Sequence, residues 1–278
     1  MFVKFSLMYG TAWKKERTQD LVALALKKGF VAIDTANQPK HYTEPLVGEA
    51  LAHYFKEGHL RESIFIQTKF TPIGGQDHRV PYDPTAPIKT QVEQSIEKSL
   101  DHLKVEYLDS YLLHGPYHHP NLGEEDWQVW EALEKVYDKG KAKQIGVSNV
   151  NHLQLTELVE KSRIKPQVVQ NRCFAQTGWD FHVRKICAAH RITYQGFSLL
   201  TANPFVMQFP QVIDMAKKRG ATPAQIIFAF ARQVGMLPLT GTTQPKHMEE
   251  DLASVLLSLD ESEIDFILKC ALEIEIET

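Results

Sequence analysis

The sequence predicts an α/β fold, a (β/α)8 TIM barrel that takes up residues 1–278 as a single domain, and three observations lead there. Seven short apolar runs each end in a polar or ionisable residue, the pattern of fully buried parallel strands whose ends carry the chemistry of a barrel. Segments with apolar residues at helical spacing separate the runs, so strand and helix alternate. The length, 278 residues with 43% hydrophobic and 23% charged content, suits one barrel of roughly 250 residues.

The elements follow in order. A first strand near residues 4 to 9 precedes a helix over Glu16 to Lys28, where Leu21, Val22, Leu24 and Ala25 share a face and Gly29 serves as C-cap. The run FVAI leads to a helix beginning near Glu44, IFIQT to one near Ile88, and SYLL to EEDWQVWEALEKVYDKG. IGVSN pairs with NHLQLTELVEKS, VVQN with FHVRKICAAH, TYQGFS with FPQVIDMAKKRG or TPAQIIFAFARQVG, and LPLTG with KHMEEDLASVL. Eight strands with right-handed crossovers favour closure. No GxGxxG follows the first strand, so an open dinucleotide-binding sheet lacks its phosphate turn. The Gly- and Pro-rich segment 71–87 is either a surface loop or a lid.

Composition excludes several classes of function. A net charge of -3 without basic blocks gives no surface for nucleic acid or anionic membrane. No run reaches the roughly 18 apolar residues of a membrane span, and the N-terminus lacks a signal peptide. Cys173, Cys187 and Cys270 lack CxxC spacing and point to a reducing, cytoplasmic compartment. The 12 histidines show no helical pairing with a glutamate, so no metal is expected.

The run ends supply the candidate site. Asp34, Lys69 and His114 form a charge set suited to proton transfer, and Ser148, Asn149, Gln170, Phe197, Ser198, Gly241 and Thr242 end the later runs.

With these residues in place the chain resembles the aldo-keto reductase family over nearly its whole length. The resemblance rests on IDTA (33–36), YTEPLVGEAL (42–51), QTKF (67–70), LDSYLLHGP (108–116), IGVSN (145–149), VVQN (168–171), GFSLL (196–200) and GTTQPKHMEEDL (241–252). It implies an NADP(H)-dependent reductase of aldehydes or ketones with a catalytic tetrad of Asp34, Tyr42, Lys69 and His114. Hydride reduction of a carbonyl leaves an alkoxide, which needs a proton donor. A tyrosine, with its reference pKa of about 10, donates more readily beside a cation. Lys69 would be that cation, Asp34 would hold it, and His114 would donate to the substrate oxygen. The family places its tyrosine nearer the aspartate; here Tyr42 lies eight positions beyond Asp34, and the inserted NQPKH is expected to be absorbed in a loop. Lys40 and His41 then read as solvated loop residues.

The resemblance also assigns Ser148, Asn149 and Gln170 to the nicotinamide carboxamide. Phe197 stands where a tyrosine usually stacks on the ring, and Ser198 and Leu200 line the pyrophosphate. At the adenosine end Gly241 and His247 replace a lysine and an arginine that often grip the 2′-phosphate, leaving Thr242 and Thr243 as donors beside Lys246. Glu250 and Asp251 sit where the adenine amino group is read. Fewer fixed cations weaken phosphate selectivity, so NAD(H) or dual use stands beside NADP(H). Trp13 would line the substrate pocket, whereas Trp127 and Trp130 belong to a helix face. The sequence stops at ALEIEIET without the long tail of many relatives, which implies an open site with loose substrate choice. A monomer acting on a small carbonyl is expected. The competing readings are a cofactor-binding regulatory or structural subunit, and an isomerase or aldolase with a Schiff base on Lys69.

Overall fold

The computed structural model describes residues 5–272. Eight parallel strands close into a barrel in chain order, with β1 paired to both β2 and β8. They are β1 (Met8–Gly10), β2 (Ala32–Asp34), β3 (Phe65–Phe70), β4 (Ser110–Leu113), β5 (Ile145–Ser148), β6 (Val168–Arg172), β7 (Thr193–Phe197) and β8 (Met236–Thr240). Residue 4, the expected start of the first strand, lies outside the described residues, as do the last six positions of the ALEIEIET ending.

The helices are α1 (Thr18–Lys28), α2 (Glu44–Lys56), α3 (Ile88–Leu103), α4 (Glu124–Asp138), α5 (His152–Lys161), α6 (Phe181–His190), α7 (Pro210–Lys218), α8 (Pro223–Gln233), α9 (Pro245–Ala253) and α10 (Glu261–Lys269). Among them no helix is long and apolar enough to cross a membrane. Gly29 ends α1 at φ 104°, the left-handed cap that glycine adopts without strain. Between β7 and β8 both candidate segments are helical, α7 and α8. Thr222 and Gln225 close a capping box at the start of α8, and Ile226 to Ala231 are all buried, so that helix is covered on every side. The unanticipated α10 also starts from a capping box, Asp260 with Glu263.

Two layers of side chains fill the barrel. Met8, Ala32, Phe65 and Leu239 form an apolar cluster inside the barrel, with Phe5, Phe197 and Leu237 packed on it, and Leu239 and Phe197 reach the cavity above. Side chains alternate along a strand, so Asp34 follows Ala32 into the barrel, and Gln67 and Lys69 follow Phe65. The layer nearer the C-terminal rim is therefore polar. Outside the barrel, strands and helices share one large apolar core that includes Val22, Leu51, Trp130 and Phe228. Trp130 lies in that core on α4, with its indole N–H on the Ile164 carbonyl at 3.2 Å.

One close approach fixes how α2 sits against α3. A Cβ on Gly48 would stand 1.8 Å from the His102 carbonyl oxygen, a backbone atom that cannot swing aside. Gly48→Ala is expected to destabilise the protein by roughly 1–3 kcal/mol or more through overpacking, read as a lower midpoint in urea denaturation.

Candidate active site

The segment between β2 and α2 delivers Tyr42 to the rim, and its backbone is tied at each step. The Thr35 amide donates to the Gln67 carbonyl, Asn37 to Lys69, and both His41 and Tyr42 to Gln38. Buried Asn37 also donates through its side chain to the Ser95 carbonyl (2.9 Å), and Gln38 to that of Gly75 (2.7 Å). The inserted NQPKH is thus an ordered turn. Segment 71–87 is anchored as well: Gln76 donates to the Asn37 carbonyl and Tyr82 to that of Thr71.

Lys69 is wholly buried on β3. Its ammonium donates to Asp34 Oδ1 at 2.7 Å and to the Thr35 carbonyl at 2.8 Å. The same ammonium lies 5.6 Å from the Tyr42 ring centroid, and the Tyr42 and His114 rings are 5.9 Å apart in an edge arrangement. His114 follows β4; its amide N–H reaches the Phe70 carbonyl, and its Nδ1 pairs with Thr71 Oγ1 at 2.7 Å. The structure therefore brings Asp34, Tyr42, Lys69 and His114 to one place.

Burial dominates their electrostatics. It pushes the His114 imidazole well below its usual value, with Lys69 adding to the effect, so the ring is neutral at physiological pH. It also lowers the Lys69 ammonium, against the opposing pull of Asp34. The Tyr42 phenol departs from the sequence-based expectation: it is pushed up, first by burial and then by the Asp34 carboxylate. Desolvation by burial comes first, and the carboxylate that pairs with Lys69 at 2.7 Å also acts on the neutral phenol, so in the resting site the two together outweigh the ammonium.

A cavity of about 820 Å³ opens beside this group. Of the sequence-derived residues, Trp13, Asp34, Tyr42, His114, Ser148, Gln170, Phe197, Ser198, Leu200, Gly241, Thr242, His247, Glu250 and Asp251 line it, whereas Asn149, Thr243 and Lys69 do not. Lys69 stands behind the wall. Asn149, at φ 58°, turns its amide back onto the His114 carbonyl (2.8 Å) and the Ser148 hydroxyl (3.1 Å). Trp13 is 67% exposed at the mouth and packs its ring 4.0 Å from that of His41. At the far end the Thr240 hydroxyl donates to Asp251, whose carboxyl burial raises to about 6.

Sequence reasoning missed three residues here. Lys14 is 6% exposed and donates to the Gly241 carbonyl at 2.7 Å. Among the described residues it has no carboxylate partner, and burial, aided by Arg17, lowers its ammonium to about 8. A Cβ on Gly241 would stand 3.7 Å from that ammonium. The missing side chain at 241 is therefore matched by a cation brought from the segment after β1. Gln67 and Gln195, buried at 0% and 1% exposure, meet inside the barrel: Gln67 donates to Asp34 Oδ1 and to Gln195 Oε1, both at 2.8 Å. The signal was present in the spacing, since each lies two positions before a residue assigned to the site, Lys69 and Phe197, and so on the same strand face.

Residues 6–271 match the model of the Aldo/keto reductase family. The chain is 28% identical to aldo-keto reductase family 1 member A1 of Xenopus tropicalis, over 92% of this chain and 82% of that protein. It is also 28% identical to the NADPH-dependent alpha-keto amide reductase of Saccharomyces cerevisiae, over 96% and 86%. Its fold is similar to that of the aldose reductase from Schistosoma japonicum, with a TM-score of 0.82 at 23% identity over 96% of this chain and 89% of that one.

Proposed function

The chain belongs to the aldo/keto reductase family, and from that premise we propose that it reduces aldehydes or ketones to alcohols with NADP(H), Tyr42 giving the proton. The observation that carries this reading is the meeting of Tyr42, His114 and the buried Asp34–Lys69 pair at the wall of one long cavity. When bound, the reduced nicotinamide supplies the hydride.

The residues present fit such a group. Lys14, just outside the lining, is a buried ammonium with no carboxylate partner among the described residues and donates to the carbonyl of Gly241, which lines the cavity, so it offers positive charge to a phosphate at that end. Ser148, Gln170 and Phe197 line the other part of the cavity and offer hydroxyl, amide and a flat apolar face to the nicotinamide. Glu250 and Asp251 stand at the adenosine end with Thr242 and His247; Asn149, outside the lining, braces Ser148 by donating to its hydroxyl, and Thr243 lies outside the lining.

In the reaction the substrate oxygen sits between Tyr42 and His114. In the tautomer in which Nδ1 accepts from the Thr71 hydroxyl, the neutral His114 has its proton on Nε2 and can donate it to that oxygen. The Tyr42 phenol, raised by burial and Asp34, keeps its proton at neutral pH and releases it only as negative charge develops on the substrate. Lys69, held by Asp34, stabilises the phenolate left behind.

The Schiff-base alternative is disfavoured, because Lys69 is fully buried and committed to Asp34 and Thr35. The regulatory-subunit reading has no observation in its favour. Three buried cysteines support a reducing compartment, the cytoplasm. All of the cavity-lining residues come from one chain, which supports a monomer as the working unit.

The test is NADPH oxidation over a panel of activated aldehydes and ketones, run against NADH. Turnover with a preference for NADPH is expected, and nucleotide binding without turnover on any carbonyl would overturn the reading. Lys14 gives it a second check. An ammonium with a value of about 8 in the free protein must be protonated to hold a phosphate, so nucleotide affinity should fall as pH rises through about 8. Lys14→Met should weaken binding and flatten that dependence, as measured by fluorescence titration.

A further inference from the structure

The polar layer inside the barrel contains a closed ring of hydrogen bonds. Gln67 Nε2 donates to Asp34 Oδ1 (2.8 Å) and to Gln195 Oε1 (2.8 Å). Gln170 Nε2 donates to the same two atoms, at 3.0 and 2.9 Å. A fifth bond, from Gln195 Nε2 to Gln67 Oε1 at 2.9 Å, braces the ring. Lys69 joins it from outside through Asp34 Oδ1. All four members are at most 3% exposed.

We propose that Gln67 and Gln195 are positioning residues that lock Asp34 and Gln170 into one rigid unit, so that the group receiving the nicotinamide and the group holding Lys69 are set by the same hydrogen bonds. This rests on the carbonyl-reductase reading given above. Satisfaction of donors and acceptors dictates the arrangement. A carboxylate only accepts, so Gln170 must face Asp34 with its NH2, and both hydrogens are used, on Asp34 and on Gln195. Its Oε1 then accepts no hydrogen bond from any described residue, and Gln170 lines the cavity. The cavity is thus offered an acceptor and no donor at this point, which selects a ligand that presents an N–H. A primary carboxamide does so. Gln195 is central, because it accepts from both of the other glutamines and donates to one of them. Without it Gln170 is held by a single bond and its side chain gains freedom, while Gln67 loses both of its links to Gln195. A buried amide network of this kind is stiff only when complete.

The test uses the full chain and two variants. Gln195→Met keeps the side-chain length and removes all three amide bonds. Gln195→Glu keeps them when its carboxyl is protonated, since the O–H replaces the Nε2 donor, and loses the donor when ionised. The first readout is binding alone: the affinity of NADP+ against its 3-acetylpyridine analogue, whose methyl ketone has no N–H to give, measured by fluorescence quenching. The wild type should prefer NADP+ by about tenfold, the usual effect of leaving a buried acceptor unpaired, and Gln195→Met should reduce that preference to about twofold. The second readout is kcat against pH. Gln195→Met should show a loss of about tenfold or more at every pH. Gln195→Glu should approach wild-type kcat at low pH and fall as pH rises through the introduced carboxyl, whose burial raises its titration into an accessible range. A folded Gln195→Met protein with unchanged cofactor preference, or a Gln195→Glu profile parallel to wild type, would overturn the proposal. A wild type that turns over no carbonyl would overturn the functional reading instead, with the binding comparison still deciding the role of Gln195.

Discussion

Replacing Tyr42 with phenylalanine is expected to lower kcat by roughly 10²- to 10⁴-fold, the usual contribution of a positioned general acid, with nucleotide affinity nearly unchanged. The substitution keeps the ring that meets His114 edge-on and faces Lys69, so cavity shape and the Asp34–Lys69 pair are preserved and only the transferable proton is lost. Wild-type hydride transfer at saturating nucleotide should also stay level with pH through the mildly alkaline range, because burial and Asp34 raise the phenol and deprotonation is what would disable it. Single-turnover measurements of hydride transfer, paired with fluorescence titration of the nucleotide, check both. Retention of most of kcat in Tyr42→Phe, together with its loss in His114→Gln, would move the proton donor to the histidine.

Lys69→Met should remove turnover and also cost about 3–5 kcal/mol of stability, the usual penalty for leaving one partner of a buried ion pair alone. Asp34 would then face two amide donors and no cation in a fully buried setting. The double variant Lys69→Met with Asp34→Asn separates the two effects. Removing the stranded charge should recover most of the urea midpoint, because neutral isosteres of a buried pair are often tolerated, while activity stays lost. A double-mutant cycle gives the coupling directly. Recovery of turnover along with stability would show that Lys69 serves only as Asp34's counter-ion.

The barrel was legible because fully buried parallel strands leave uninterrupted apolar runs, and Asp34, Lys69 and His114 stood out as the charges ending them. Gln67 and Gln195 lie within such runs, and only the two-residue alternation of side chains on β3 and β7 reveals that Phe65, Gln67 and Lys69 all point into the barrel. Lys14 was hidden by its setting. It opens the stretch KKER, which reads as a solvated helix start, and only closure of β1 against β8 buries it under Gly241. Asn149 was legible as a polar run end, yet its left-handed backbone turns the amide away from the cavity lining. The α10 helix had a signal in sequence, Asp260 with Glu263 ahead of Ile264, Ile267 and Leu268. The choice between α7 and α8 stayed open because both segments carry good helical spacing, and the chain uses both.

The apolar cluster of Met8, Ala32, Phe65 and Leu239 has a consequence for turnover. Tyr42 lines the large cavity and not the smaller one bordered by Phe65, Gln195 and Leu237, and the cluster lies between the two, so with Tyr42 as the proposed donor the phenol is recharged from the large cavity. Each proton spent on a product must be replaced through the same doorway by which the alcohol departs. Release and re-arming therefore share one passage, and a bulky product lingering there would delay the next cycle twice over.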